Sequence, residues 1–145
     1  MMPPTAKQVS GPLVDFRAIA QSRAQTFDRM EAAARRSGRT PENITLVAVS
    51  KTLPLEAVKA LYQLGHRHFG ENRTKEGTQK LRAARETFAT DEDPIVWHMI
   101  GHIQSRKAKS VVSGFDYIHS LDSVRLAQRL SRFATEMGKT VPVLL

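Results

Sequence analysis

No cysteine occurs in these 145 residues, which removes disulfides, thiolate metal sites and thiol nucleophiles and fits a reducing cytoplasm. No apolar run reaches membrane-spanning length, and the opening MMPPTAKQVSGPL lacks the apolar stretch of a secretory signal. The first strand-to-helix turn, SKTLPLEA at 50–57, has no glycine, so neither a Walker loop nor a dinucleotide fingerprint is present, and no G-x-S-x-G elbow occurs elsewhere. The net charge of +8 comes without a helix-turn-helix, RNA-binding or zinc-finger signature. Basic residues are scattered from Lys7 to Lys139, and the tightest groups, SRKAK at 105–109 and KLRAAR at 80–85, contain no aromatics. They read as solvated helix faces, so neither a nucleic-acid nor a membrane partner is expected; a basic nucleic-acid-binding module is the alternative that a salt titration would separate.

What is present describes one globular domain: 41% apolar and 25% charged residues, over a length that supports a single core. Residues 1–11 read as a disordered lead-in. Over 12–37 an amphipathic helix is predicted, with Phe16, Ala20, Phe27, Met30 and Ala34 on one face and Gly38 as its stop. Then ITLVAVS at 44–50 reads as a buried strand, near-continuously apolar as parallel strands are. Pro54 opens a helix carrying Leu55, Val58, Leu61 and Tyr62, and Gly65 ends it. The pattern recurs: strands near HRHFG, PIVWHMIG and DYIHS, with helices over about 74–89, 104–112 and 122–137, and a fifth strand in TVPVLL. Strand starts every 21 to 28 residues have the pitch of consecutive βα units. A doubly wound sheet and part of a (β/α)₈ barrel both use that pitch. The partial barrel is favoured, because no covering helix follows VPVLL.

Alternation along the first strand puts Val47, Val49 and Lys51 on one face and Leu46, Ala48 and Ser50 on the other. In a barrel the first set lines the interior, and Lys51 stands at the carboxyl end, where such barrels build their sites. A lysine partly desolvated there is a nucleophilic amine able to form a Schiff base. In isolation, a strand-end lysine that snorkels into solvent is the simpler account. In HFGENR at 68–73, Gly70 lets the backbone approach a ligand, and Asn72 offers a neutral amide that donates and accepts; the same residues also make good turn chemistry. His98 and His102 are four apart, but the strand and Gly101 between them spoil a metal pair, and His98 reads as a hydrogen-bonded histidine near the rim. His66, His68 and His119 fall at strand positions with no evident pairing.

Taken together, LVAVSKT at 46–52, HFGEN at 68–72 and WHMIGHIQSRK at 97–107 resemble, in order and spacing, the pyridoxal-phosphate homeostasis protein family, single-domain relatives of the alanine racemase N-terminal barrel. Arg106 and the pair Thr74–Lys75 depart from its usual pattern at positions that look exposed. The resemblance implies a barrel of the fold-type III class, here as one incomplete domain over 1–145. It implies that Lys51 carries pyridoxal 5'-phosphate (PLP) as a Schiff base, with Val49, Asn72, His98 and Ile100 around the cofactor. It further implies a cytoplasmic carrier and regulator of the cofactor that serves PLP-dependent apoenzymes and has no amino-acid reaction of its own. A racemase-like enzyme is the alternative. The glycine- and serine-rich loops that hold the phosphate in that family are not among these residues, so the chain reads as its N-terminal portion, with unpaired strand edges that favour self-association.

Overall fold

The computed structural model describes residues 14–145; the lead-in over 1–11 and the first two residues of the predicted opening helix lie outside them. Helix α1 spans Phe16–Arg36, and the Asp15 carboxylate starts it by accepting the backbone N–H groups of Arg17 and Ala18. Strand β1 (Ala48–Val49), α2 (Leu55–Gln63), β2 (His68–Glu71), α3 (Thr74–Thr87), β3 (Val96–Met99), α4 (Ala108–Gly114), β4 (Tyr117–Ile118) and α5 (Val124–Glu136) follow in strict alternation. The sheet order is β1-β2-β3-β4 and every pairing is parallel. Each crossover passes through a helix, as neighbouring parallel strands require.

The predicted elements are therefore present, with shifted limits. The first strand shrinks from 44–50 to two residues, because β1 pairs only with β2 and a one-sided ladder holds less of the chain. Pro54 caps α2 instead of entering it, at φ −69° and an extended ψ of 161°. The fourth helix begins later than expected, since Ser105–Lys107 form a 3-10 turn before it. Of the fifth strand only a bridge remains, pairing Ile118 with Val143 in parallel.

The core sits on one face of the sheet. Phe69, Trp97, Met99 and Ile118 alternate onto that face and are fully buried. Val58 of α2, Leu81 and Ala84 of α3, Val111 and Val112 of α4, and Leu126 and Leu130 of α5 close over them in one cluster. Gly77 lets α3 come down: a Cβ there would stand 2.7 Å from Phe115 and 3.0 Å from the Cβ of Glu71. Helix α1 is packed less tightly, with Ala34 its one buried residue among those described, Phe16 turned out to solvent, and a cavity of about 390 Å³ between it and Leu46, Ala48, Leu61 and His66.

Candidate functional site

The other face of the sheet carries Val47 and Val49 from β1 and its approach, His68 and Gly70 from β2, Val96, His98 and Ile100 from β3 and its exit, and Tyr117 and His119 from β4 and its exit. Parallel register sets Val49 beside Gly70, Gly70 beside His98, and His98 beside Tyr117. Of the sequence-chosen residues, Val49 and His98 are thus brought into one row across the sheet. Ile100 joins them from one level above: a Cβ on Gly70 would lie 3.1 Å from both Ile100 Cδ1 and Val47 Cγ1. The missing side chain at Gly70 lets the isoleucine and the valine close over the strand at this point. Val49, 46% exposed, and Tyr117, 39% exposed, show how open this face is.

At the carboxyl end the loops interlock. A Cβ on Gly101 would stand 2.1 Å from the Asn72 carbonyl oxygen, so only glycine lets the chain after β3 pass the end of β2. Ser120 Oγ then donates to the Gly101 carbonyl at 2.5 Å. Asn72, Gly101 and Ser120 tie three strand ends into one rim, with the half-buried Asn72 on it. His102, the other member of the four-residue spacing, points elsewhere, to Asp122 at 3.0 Å.

Lys51 stands just past β1 and is exposed, which corrects the expectation of a partly desolvated amine. Its surroundings are built by the backbone rather than by burial. Leu53 N donates to Ser50 O at 3.1 Å, closing a tight turn over Lys51 and Thr52. Thr52 takes φ 61°, left-handed backbone that a β-branched residue enters only at a cost of roughly 1–2 kcal/mol, and it is the sole non-glycine residue to do so among those described.

Sequence reasoning missed what holds that turn. Glu71 shares the buried face with Phe69 and is 0% exposed. Its Oε1 accepts from Ser50 Oγ at 2.7 Å and from Lys80 Nζ at 2.6 Å. Lys80 Nζ also donates to the Ser50 carbonyl at 2.6 Å, and Ser50 N donates to Gly70 O at 3.0 Å. The residue before Lys51 is therefore gripped through its N–H, its carbonyl and its hydroxyl. The signal was present in HFGEN: period-two alternation sends Glu71 to the side of Phe69, so a buried carboxylate and a cation to meet it could have been sought.

The histidines correct a second expectation. His68 Nδ1 lies 3.0 Å from His98 Nε2, and His98 Nδ1 lies 2.8 Å from His119 Nε2, so two rings read as unpaired, His68 and His119, join the hydrogen-bonded His98 in one continuous row. Tyr117 stacks on His98 with ring centroids 4.9 Å apart. Burial first, and then the neighbouring His119 and His68, push the His98 imidazole down to about 4. Burial also lowers His68 below its ordinary value. Among the described residues no group of three or more His, Cys, Asp or Glu side chains is placed to hold a metal ion, and no helix is long and apolar enough to cross a membrane.

A parallel sheet with a lysine presented in a strained turn after its first strand, and a neutral amide on the next strand's rim, is what known proteins can now be compared with. The pyridoxal phosphate homeostasis protein of Escherichia coli (strain K12) is 45% identical over 113 residues, which are 78% of this chain and 47% of that protein. This chain is a relative of the pyridoxal phosphate homeostasis proteins. PipY of Synechococcus elongatus PCC7942, solved with PLP bound, superposes with a TM-score of 0.67 at 39% identity, over 80% of this chain and 52% of that one. A protein of unknown function from Bifidobacterium adolescentis reaches a TM-score of 0.79 at 33% identity, covering 96% of this chain and 59% of that one. The chain spans about half the length of the curated relatives it matches. No family model matches it.

Proposed function

We propose that this chain binds pyridoxal 5'-phosphate, held covalently through the Lys51 amine, and takes part in handling that cofactor in the cytoplasm rather than in a reaction on amino acids. The observation that carries the reading is the lysine itself. It ends the first strand of a parallel sheet, in a left-handed turn whose preceding residue is bonded on three sides, within a stretch similar to proteins named for PLP homeostasis. Backbone strain held in place by a buried ion pair is characteristic of a side chain that has to be aimed.

The residues fit such a group. Capture of an aldehyde needs an accessible primary amine, and Lys51 is exposed. A flat ring needs an apolar seat and a neutral polar edge. Val49, with Val47 and Ile100 packed over Gly70, would supply the first, and Asn72 the second, with His98 beside them. When bound, the cofactor supplies a reactive aldehyde that amines capture reversibly. Lys51 would hold it, and the lock under Lys51 would keep the amine at the rim.

The same reading takes the sheet as part of a (β/α)₈ barrel of fold type III, in one incomplete domain. Helices α2 to α5 cover a single face, as in a barrel and unlike a doubly wound sheet. PLP-dependent apoenzymes would receive the cofactor, and the unpaired edge of β1 would support self-association. The test is borohydride reduction of the chain with PLP followed by peptide mapping. Label is expected on Lys51, and Lys51→Ala should abolish the new absorbance while leaving thermal unfolding within about 0.5 kcal/mol. Label on Lys59 or Lys75 with Lys51 unmodified would overturn the assignment.

A further inference from the structure

The histidine row has a property that pairs of histidines lack. Each of its contacts joins the Nδ1 of one ring to the Nε2 of the next, from His68 to His98 to His119. A nitrogen–nitrogen contact of 2.8 to 3.0 Å holds one proton, on one atom or the other. Polarity therefore propagates along the row. With every proton on Nδ1, donation runs from His68 toward His119 and the free N–H is at His119 Nδ1. With every proton on Nε2, donation runs the other way and the free N–H is at His68 Nε2. The two neutral arrangements differ by one proton taken in at one end and given out at the other. Among the described residues no protein group bonds either end nitrogen.

The row also has a direction in the fold. His68 is level with Val96, and His98, two residues farther along, is level with Tyr117. His119 comes two residues farther again, one position past the paired set Glu71, Met99 and Ile118. That position on β2 and β3 belongs to Asn72 and Ile100. The row thus climbs from the amino-terminal end of β2 to the carboxyl-terminal rim.

We propose that His68, His98 and His119 form a proton shuttle between the start of β2 and the rim where Asn72 and Ile100 stand. A proton accepted at His119 Nδ1 displaces the His119 Nε2 proton to His98 Nδ1, the His98 Nε2 proton to His68 Nδ1, and the His68 Nε2 proton to solvent. One passage leaves the row in its other arrangement, so the next must run in reverse. Alternating uptake and release of a ligand supplies that alternation. An ammonium sheds a proton before its nitrogen attacks an aldehyde, and an amine set free takes one back. That use rests on the cofactor reading; the shuttle does not. The groups facing the row are Tyr117, stacked on His98, and the apolar Val47, Val49, Val96 and Ile100. A central ring kept neutral by burial suits a shuttle, because a proton fixed there would stop the exchange.

The experiment begins with the ligand-free chain labelled with ¹⁵N. Scalar couplings through the hydrogen bonds are expected between His68 Nδ1 and His98 Nε2 and between His98 Nδ1 and His119 Nε2, with His98 neutral from pH 8 down to about pH 5. Absent couplings, or a His98 that titrates near its ordinary value, would overturn the proposal. His98→Phe keeps a ring against Tyr117 and removes both links. It should slow the absorbance rise on mixing with PLP at least tenfold and abolish the dependence of that rate on D₂O; His68→Phe, which breaks the row at the end away from Asn72 and Ile100, should do the same and leave the PLP dissociation constant within about twofold. An unchanged uptake rate in His98→Phe would show that the row conducts nothing. If the wild-type chain takes up no PLP at all, the cofactor reading falls, and the couplings alone decide whether the row exists.

Discussion

The two faces of the sheet are made from alternate residues of the same four strands, and they are different materials. The helix-covered face presents Phe69, Trp97, Met99 and Ile118, none exposed, under side chains from four helices. The open face presents Val49, Tyr117, Ile100 and three linked histidines, several of them in contact with solvent. Stability and chemistry are thus separated by a rotation of half a pleat. A substitution one position along a strand should move from one kind of consequence to the other.

The sharpest way to break that comparison is to truncate one residue on each face. Trp97→Ala deletes the largest fully buried side chain and should cost about 3–5 kcal/mol in denaturant unfolding. Val49→Ala, on the open face, should cost less than about 1 kcal/mol, since nearly half of the residue stays in contact with water. Equal losses at the two positions would mean that something covers the open face.

Glu71 is the exception to the division, a carboxylate on the apolar side, and it sharpens the contrast. Lys80 is 12% exposed and its partner is fully enclosed. Lys80→Met leaves a buried charge without its cation, and a loss of about 3 kcal/mol is expected. Adding Glu71→Gln to Lys80→Met should recover most of that loss, because the stranded charge is then gone. Stability that stays near the wild-type value in Lys80→Met would show that Glu71 needs no counterion there.

The outer architecture was legible because it rests on repetition. Apolar runs such as VWHM, stopped by glycine and followed by charged helices, locate parallel βα units without any knowledge of their neighbours. The place of Lys51 just past the first strand was legible for the same reason, as the residue where an apolar run ends. Its exposure was not, because exposure depends on what stands across the open face, which no local pattern encodes. The histidine row escaped because its contacts join residues 30 and 21 positions apart, and only the parallel register brings them level. The Glu71–Lys80 pair was half legible: alternation buries the acid, but its cation comes from a helix whose approach is set by Gly77.

The smallest expected effect tests whether the turn at Lys51 is strained for a purpose. Thr52 occupies left-handed backbone at φ 61°, and its Oγ1 lies 2.6 Å from the Lys51 carbonyl oxygen, to which it donates. Glycine adopts that conformation without a Cβ clash but brings more freedom to the unfolded chain, and the two effects oppose each other. Thr52→Gly should therefore raise stability by no more than about 1 kcal/mol, measured by denaturant unfolding. The functional consequence should run the opposite way. A relaxed turn presents the Lys51 amine over a wider range of directions, so uptake of PLP by Thr52→Gly should slow while Ser50, Glu71 and Lys80 stay paired beneath it. Faster or unchanged uptake in a stabilised variant would mean that the left-handed residue is incidental to the aim of the lysine, and that the lock through Ser50 alone directs it.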